Sequence, residues 1–336
     1  MKRKKNKKTI LWFLKAAAAG VTALLLMSLL CVLYYNVPVH YTNPSGATEY
    51  YWEQGRFYSR ATEGFAWGRT NNEGFNNLYD HHEGDKTDIL LMGTSHTNGF
   101  NVAQDENVGA VLTRLFGGER VVYNIGTAGH TLMYNLKNLD DALTYYKPTQ
   151  YAIIECNFVT AKNAELRAIL DNSYPGIPSH TGGLVTLLQK IPYLRLLYTK
   201  YIEGMNFGGE AGSSSPDDDM AENRALYGQV MAKAADTAEK HGVKLIIVLD
   251  SMVYMDEQLN CYVDVDAASV AAMKEMCTDN GIEFINACDT LTAAAKENMR
   301  LPYGFANTEP GRGHLNSWGH ALLADCIYGR IAQMEG

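Results

Sequence analysis

The apolar positions of this chain fall into two regimes. From Ile10 to Tyr35 they are interrupted only by Lys15, and Ala16–Tyr35 alone supplies 20 residues. At about 1.5 Å per helical residue that stretch covers roughly 30 Å, one hydrocarbon core. From Asp88 onward, short runs rich in β-branched residues alternate with amphipathic stretches. The runs Asp88–Met92, Arg120–Ile125, Tyr151–Cys156, Val243–Leu249 and Ile282–Ile285 predict strands. Leu132, Met133, Leu136, Leu139, Leu143 and Tyr146 recur as one helical stripe, and Asp219 with Glu222 has capping-box spacing before a helix that His241-Gly242 ends. Strands separated by helices pair in parallel through right-handed crossovers. The expected fold is therefore α/β, a doubly wound parallel sheet of five strands behind an N-terminal transmembrane helix, with ligands at the carboxyl ends of the strands.

Two stretches break the alternation. Residues 36–87 are rich in aromatics, Gly and Asn without clean periodicity, and read as a stalk packing onto the domain; Glu63-Gly64-Phe65 recurs there as Glu73-Gly74-Phe75. Residues 158–219 form an insertion after the third strand, with an apolar helical portion from Leu184 to Leu197 and a Gly/Ser/Asp-rich loop from Gly208 to Asp219. An insertion at the ligand edge of a sheet is expected to serve as a lid or substrate wall.

Composition adds a compartment. An apolar share of 46% and a charged share of 20% exclude wholesale disorder and a polytopic membrane protein. Residues 1–15 hold seven Lys or Arg and no acid, which leaves 22 basic against 37 acidic residues in the rest. A body so acidic lacks the basic face that nucleic acid requires. A cleaved signal peptide would have a shorter apolar region and a small-x-small site, whereas this run ends in Leu33-Tyr34-Tyr35-Asn36. The expected organisation is a cytoplasmic basic tail (1–9), a single-pass anchor (10–35), the stalk (36–87) and an extracytoplasmic catalytic domain (88–336). The six cysteines show no CxxC spacing and read as small buried hydrophobes, and the adjacent His81 and His82 as a solvated loop; no metal or other cofactor is expected.

The chemistry-bearing residues follow the predicted strands. Gly93-Thr94-Ser95-His96 succeeds the first, Gly126-Thr127-Ala128-Gly129 the second and Asn157 the third, and His314 precedes the last helix. A serine hydroxyl is a weak nucleophile until an imidazole takes its proton, and a tetrahedral oxyanion needs donors aimed at it. Ser95, His314, the Gly129 N–H and the Asn157 amide would supply those parts.

In that chain order the four blocks resemble the signatures of the SGNH, or GDSL-type, hydrolase superfamily, over about Asp88–Met334. The resemblance implies a flavodoxin-like sheet, Ser95 as nucleophile, His314 as base, and an oxyanion hole of the Ser95 N–H, the Gly129 N–H and Asn157. Three departures stand out: Thr94 replaces the aspartate of the first block, Glu155 and Phe158 flank Cys156-Asn157, and Gly311 occupies the position of the aspartate that orients the histidine. Asp250, at the end of the fourth strand, is the favoured substitute, with Glu309 or a bare dyad as alternatives; His96 and His130 adjoin the site as pocket candidates.

The tethered domain, its Gly-Thr-Ser-His block and its aromatic segment resemble the partners of membrane-bound O-acyltransferases, such as alginate acetylation and teichoic-acid D-alanylation proteins. That resemblance implies an O-acyltransferase acting on an envelope polysaccharide, with a membrane-bound O-acyltransferase as partner. A surface carbohydrate esterase with the same residues, and a non-catalytic assembly factor, are the alternatives.

Overall fold

The computed structural model describes residues 2–36, 40–42, 50–174, 190–198, 220–309 and 311–336. They form two compact units, Met1–Val37 with His180–Gly209, and Pro38–Ser179 with Glu210–Gly336.

In the first unit one helix, Lys2–Tyr34, contains a 27-residue stretch, Lys8–Tyr34, of mean hydropathy 2.4, long and apolar enough to cross a membrane. A short helix, Pro192–Tyr198, packs against it, and the buried Arg195 guanidinium donates to Asn36 Oδ1. Residues 190–198 of the insertion thus group with the N-terminal helix. The Gly208–Asp219 loop lies outside the described residues.

The second unit is built on five parallel strands, β1 (Ile89–Met92), β2 (Val122–Asn124), β3 (Tyr151–Cys156), β4 (Lys244–Leu249) and β5 (Glu283–Asn286), in the spatial order β5-β4-β3-β1-β2. Both faces are buried, which is why the strands read as continuous apolar runs. Strand alternation then sorts side chains between two cores. Leu90, Met92, Ala152, Ile154, Leu245 and Ile247 face one, closed by the helices Leu132–Lys137, Leu139–Tyr146, Asn163–Leu170 and Met220–Lys240. Ile89, Leu91, Ile153, Ile246 and Val248 face the other, closed by Val108–Leu115, Ala287–Asn298 and Ser317–Glu335. The single stripe expected between β2 and β3 is buried as expected but divided into two helices at Asn138, which ends one and starts the next.

Residues 53–87 are part of this unit. Strands Phe57–Arg60 and Ala66–Arg69 form an antiparallel hairpin, Tyr58 and Phe75 are fully buried, and Tyr58 Oη donates to Asn76. His81, expected in solvent, is 3% exposed; its ring lies 4.8 Å from that of Tyr123 and its Nδ1 3.3 Å from Glu73, which also accepts from the hydroxyls of Tyr123 and Tyr145. The six cysteines are unpaired thiols, with Cys156, Cys277 and Cys288 buried in the domain.

Candidate active site

Ser95 sits at the carboxyl end of β1, in the first position of a four-residue helical turn, Ser95–Asn98, whose N-cap is Thr94. The turn is held from below by Glu155 of β3. Its carboxylate accepts from the Thr94 N–H (2.8 Å), the Thr94 hydroxyl (2.9 Å), the Thr97 hydroxyl (2.8 Å) and the Thr97 N–H (3.3 Å). A Cβ at Gly93 would lie 2.3 Å from Thr97 Oγ1 and 2.6 Å from Glu155 Oε2, so this close approach requires glycine. Thr94 is thus well suited to the position where the resemblance led to the expectation of an aspartate. With Glu155 directly beneath, a second acid would crowd one buried carboxyl against another, whereas the Thr94 hydroxyl donates to it.

Ser95, Gly129 and Asn157 line one cavity of about 230 Å³ at the strand ends. Gly129 has φ +86, a left-handed conformation that favours glycine, and space surrounds its Cβ position. Asn157 follows β3, with its Nδ2 3.3 Å from His96 Nδ1. An amide nitrogen has two protons to donate, so one on His96 leaves a second for an oxyanion.

His314 carries a carboxylate, and it comes from neither expected source. Glu63 Oε2 lies 2.8 Å from His314 Nδ1, and Glu63 Oε1 accepts from the His314 backbone N–H at 2.6 Å. Glu63 occupies the turn of the hairpin, and that turn is pinned by Asn307. Asn307 Nδ2 donates to the carbonyls of Ala61 and Gly64, and its Oδ1 accepts from the Gly64 N–H. Gly313 has φ +97, and a Cβ there would lie 2.1 Å from Glu63 Oε1. Gly311, where an aspartate was expected, has φ +75 and Leu301 packed 3.0 Å from its Cβ position. The backbone at that point suits glycine alone, so the acid arrives from another segment. Burial disfavours the charge on Glu63, but the His314 contacts hold its carboxyl below the usual range. Burial outweighs Glu63 at His314 and lowers the imidazole, which is therefore neutral at pH 7. With Nδ1 on Glu63, Nε2 is the nitrogen left to act as base.

Asp250 is engaged elsewhere. Expected to orient His314, it places Oδ2 3.0 Å from His96 Nδ1 instead, and both groups are fully buried. Glu309, the other candidate, is exposed and pairs with Arg312. His96 is buried and does not line the cavity; its ring lies 5.7 Å from that of His314 and is hydrogen-bonded to the backbone of Gly313. An amide NH₂ can only donate, so His96 Nδ1 accepts from Asn157, and an oxygen on that same nitrogen must bring its own proton. Asp250 therefore donates. Burial pushes its carboxyl up to about 8. Burial and the nearby Asp250 charge push Glu155 up to about 8 as well. Both carboxyls are thus held above the ordinary carboxylate range by their burial. His96, Glu155 and Asp250 bring potential ligand atoms within 4.8 Å of one another. The Glu155 oxygens are already taken by hydroxyl and amide donors, the chemistry of a hydrogen-bonded network and not of an open metal site. His130, the remaining pocket candidate, lines the cavity, stacks 4.3 Å from Tyr134 and is pushed by burial down to about 3, which makes it a neutral wall.

Glu63 and Glu155 are the site residues that sequence reasoning did not assign. A charged residue inside the otherwise apolar strand Tyr151–Cys156 was the available signal for Glu155. For Glu63 the only hint was its repeated triplet, whose second copy likewise sets a glutamate, Glu73, against a histidine, His81.

No protein-family model matches this chain, and no curated protein matches it. Among solved structures, it is similar to TesA (13% identity over 74% of this chain and 99% of that one, TM-score 0.41) and to the acetyl xylan esterase AlAXEase (13%, 73% and 99%, 0.39). It is also similar to a GDSL-like lipase from Bacteroides thetaiotaomicron VPI-5482 (13%, 74% and 89%, 0.37). The five-stranded parallel sheet flanked by helices stands on this chain's own strand pairings.

Proposed function

We propose that this protein is a membrane-anchored serine acyltransferase of the cell surface, which moves an acyl group onto an envelope polysaccharide through Ser95. The observation that carries this reading is the Glu63-held imidazole of His314 in a domain where Ser95, Gly129 and Asn157 share one cavity. In the first half-reaction Ser95 Oγ bonds to the acyl carbonyl carbon and its proton passes to His314 Nε2. The Ser95 N–H, the Gly129 N–H and the second Asn157 N–H stabilise the oxyanion; the bond to the donor's leaving group then breaks, and His314 returns the proton to it. In the second half a sugar hydroxyl gives its proton to His314 and attacks the acyl-serine carbonyl; the bond to Ser95 Oγ then breaks, and His314 returns the proton to that oxygen. Glu63 holds the imidazole in the required tautomer throughout.

The anchor supports a surface substrate, since a domain tied to the membrane by one helix meets polymer made or exported there. A membrane-bound O-acyltransferase is the partner suited to deliver the acyl group. Water in place of the sugar would make the same residues a carbohydrate esterase.

Labelling by a fluorophosphonate tests the nucleophile: wild-type protein should label and Ser95→Ala should not. Cells carrying Ser95→Ala should also lose ester-linked acyl groups from their surface polymer. Labelling without that loss would favour the esterase, and wild-type protein that never labels would leave a non-catalytic assembly role.

A further inference from the structure

We propose that the short helix Pro192–Tyr198 lies in the lipid interface of the outer leaflet, as a second membrane contact beside the helix Lys2–Tyr34. The inference rests on the anchor reading above and adds what this part of the insertion touches. The helix is inside out for water. Its one charged residue, Arg195, is the most buried of its described side chains, at 6% exposed, and donates to Asn36 Oδ1. Ile191, Tyr193, Leu194, Leu196 and Leu197 are all partly exposed. A helix on a water-facing surface does the reverse, with its apolar stripe inward and its charge in solvent. Charge turned inward and leucine outward is the arrangement of a surface that meets lipid.

Depth follows from what the helix packs against, which is the helix Lys2–Tyr34 and the adjoining Tyr35–Asn36. Among the described residues from Lys8 to Asn36, Cys31 and Asn36 alone are buried, and both lie at the carboxyl end of the apolar stretch. Leu25, Leu26, Leu29 and Leu30 in the preceding turns are exposed, as a lipid-facing surface requires. At about 1.5 Å per residue, Cys31 is only about 5 Å below Tyr34. Interfacial helices rest about 5–10 Å into the boundary of headgroups and acyl chains, the same zone. Seven residues span roughly 10 Å, too short to cross the bilayer, so the helix lies in the interface. Tyrosine favours that level, where Tyr34 and Tyr193 stand. Lys190, exposed just before the helix, can keep its ammonium among the headgroups.

The full chain is reconstituted into phosphatidylcholine vesicles containing a phosphatidylcholine with a diazirine on its acyl chain. After irradiation and digestion, labelled residues are read by mass spectrometry. Label is expected on residues 8–34 and on 190–198, the latter roughly tenfold above Tyr254–Tyr262, where Leu259 and Tyr262 are exposed apolar side chains of the other unit. Leu194→Glu combined with Leu197→Glu should abolish the label on 190–198 while the label on 8–34 and the thermal melt stay unchanged. If that variant fails to fold, the wild-type pattern decides. Label on 8–34 with 190–198 no higher than Tyr254–Tyr262 overturns the second contact and leaves the anchor intact. Undiminished label on 190–198 in the folded double variant overturns Leu194 and Leu197 as its lipid-facing side. No label on 8–34 overturns the anchor and this inference with it.

Discussion

Glu63 grips His314 at two points across 251 residues of sequence, one carboxylate oxygen on Nδ1 and the other on the backbone N–H. A two-point grip fixes both the loop and the ring. The carboxylate on His314 therefore comes from the aromatic-rich segment ahead of Ser95, and the pairing cannot form without that segment.

Glu63→Gln should lower turnover by about 10² to 10⁴, in line with the loss of the orienting carboxylate from a triad. Activity needs His314 neutral, and burial already holds its pKa below the ordinary value of about 6.5. Glu63 raises that pKa, so its removal should move the acid limb of the kcat/KM profile to still lower pH. An acid limb left in place, or unchanged turnover, would show that Glu63 does not act on the imidazole.

Asp250→Asn should cost less than about tenfold, because an amide can donate to His96 Nδ1 as the protonated carboxyl does. If Asp250 were the orienting acid, the same change would lower turnover by about 10⁴. The ratio of the Asp250→Asn and Glu63→Gln effects therefore decides which carboxyl serves His314.

The Glu155 and Asp250 pair makes stability depend on pH. Their folded-state values, about 8, exceed the ordinary carboxyl range, so the native state binds more protons than the unfolded chain between about pH 4 and pH 8. The contribution is complete at the acid end and is lost as pH rises through 8. Thermal melts of the full chain should show Tm falling from pH 6 to pH 9, and Asp250→Asn should flatten that slope; a Tm that rises over this interval would contradict the raised carboxyl values.

Asn157→Ala should lower turnover by roughly 10² to 10³ if its second amide proton meets the oxyanion. KM for a small ester should move little. An unchanged kcat would remove Asn157 from the oxyanion hole and leave it as a partner of His96.

The basic start and the apolar helix predict an N-inside, C-outside topology. Protease added to intact cells should release a fragment carrying residues beyond the anchor while an N-terminal tag stays protected. Full protection of the domain would place it on the other side of the membrane and take the surface polymer out of reach.

Where chemistry is local, the residues alone determined it. The five strands of the sheet are legible because burial on both faces makes each a continuous apolar run, and turn residues such as Gly93 and Gly126 follow them at the edge where ligands bind. That Ser95, Gly129 and Asn157 meet at one cavity was legible for the same reason, since Ser95 and Asn157 lie just after strands and Gly129 in the turn that follows another. The helix Lys8–Tyr34 needed only length and hydropathy. The carboxylates were not legible in this way. Asp250 follows β4 and Glu63 sits in a distant hairpin, and which of them meets which histidine depends on how far each loop folds over the strand ends. Tertiary packing decided it. Leu301 crowds Gly311 against any side chain, Asn307 pins the hairpin turn beside His314, and fully buried Asp250 meets His96 through Oδ2. Hydrogen-bond partners across 154 or 251 residues are chosen by desolvation and shape, neither of which has a period along the sequence.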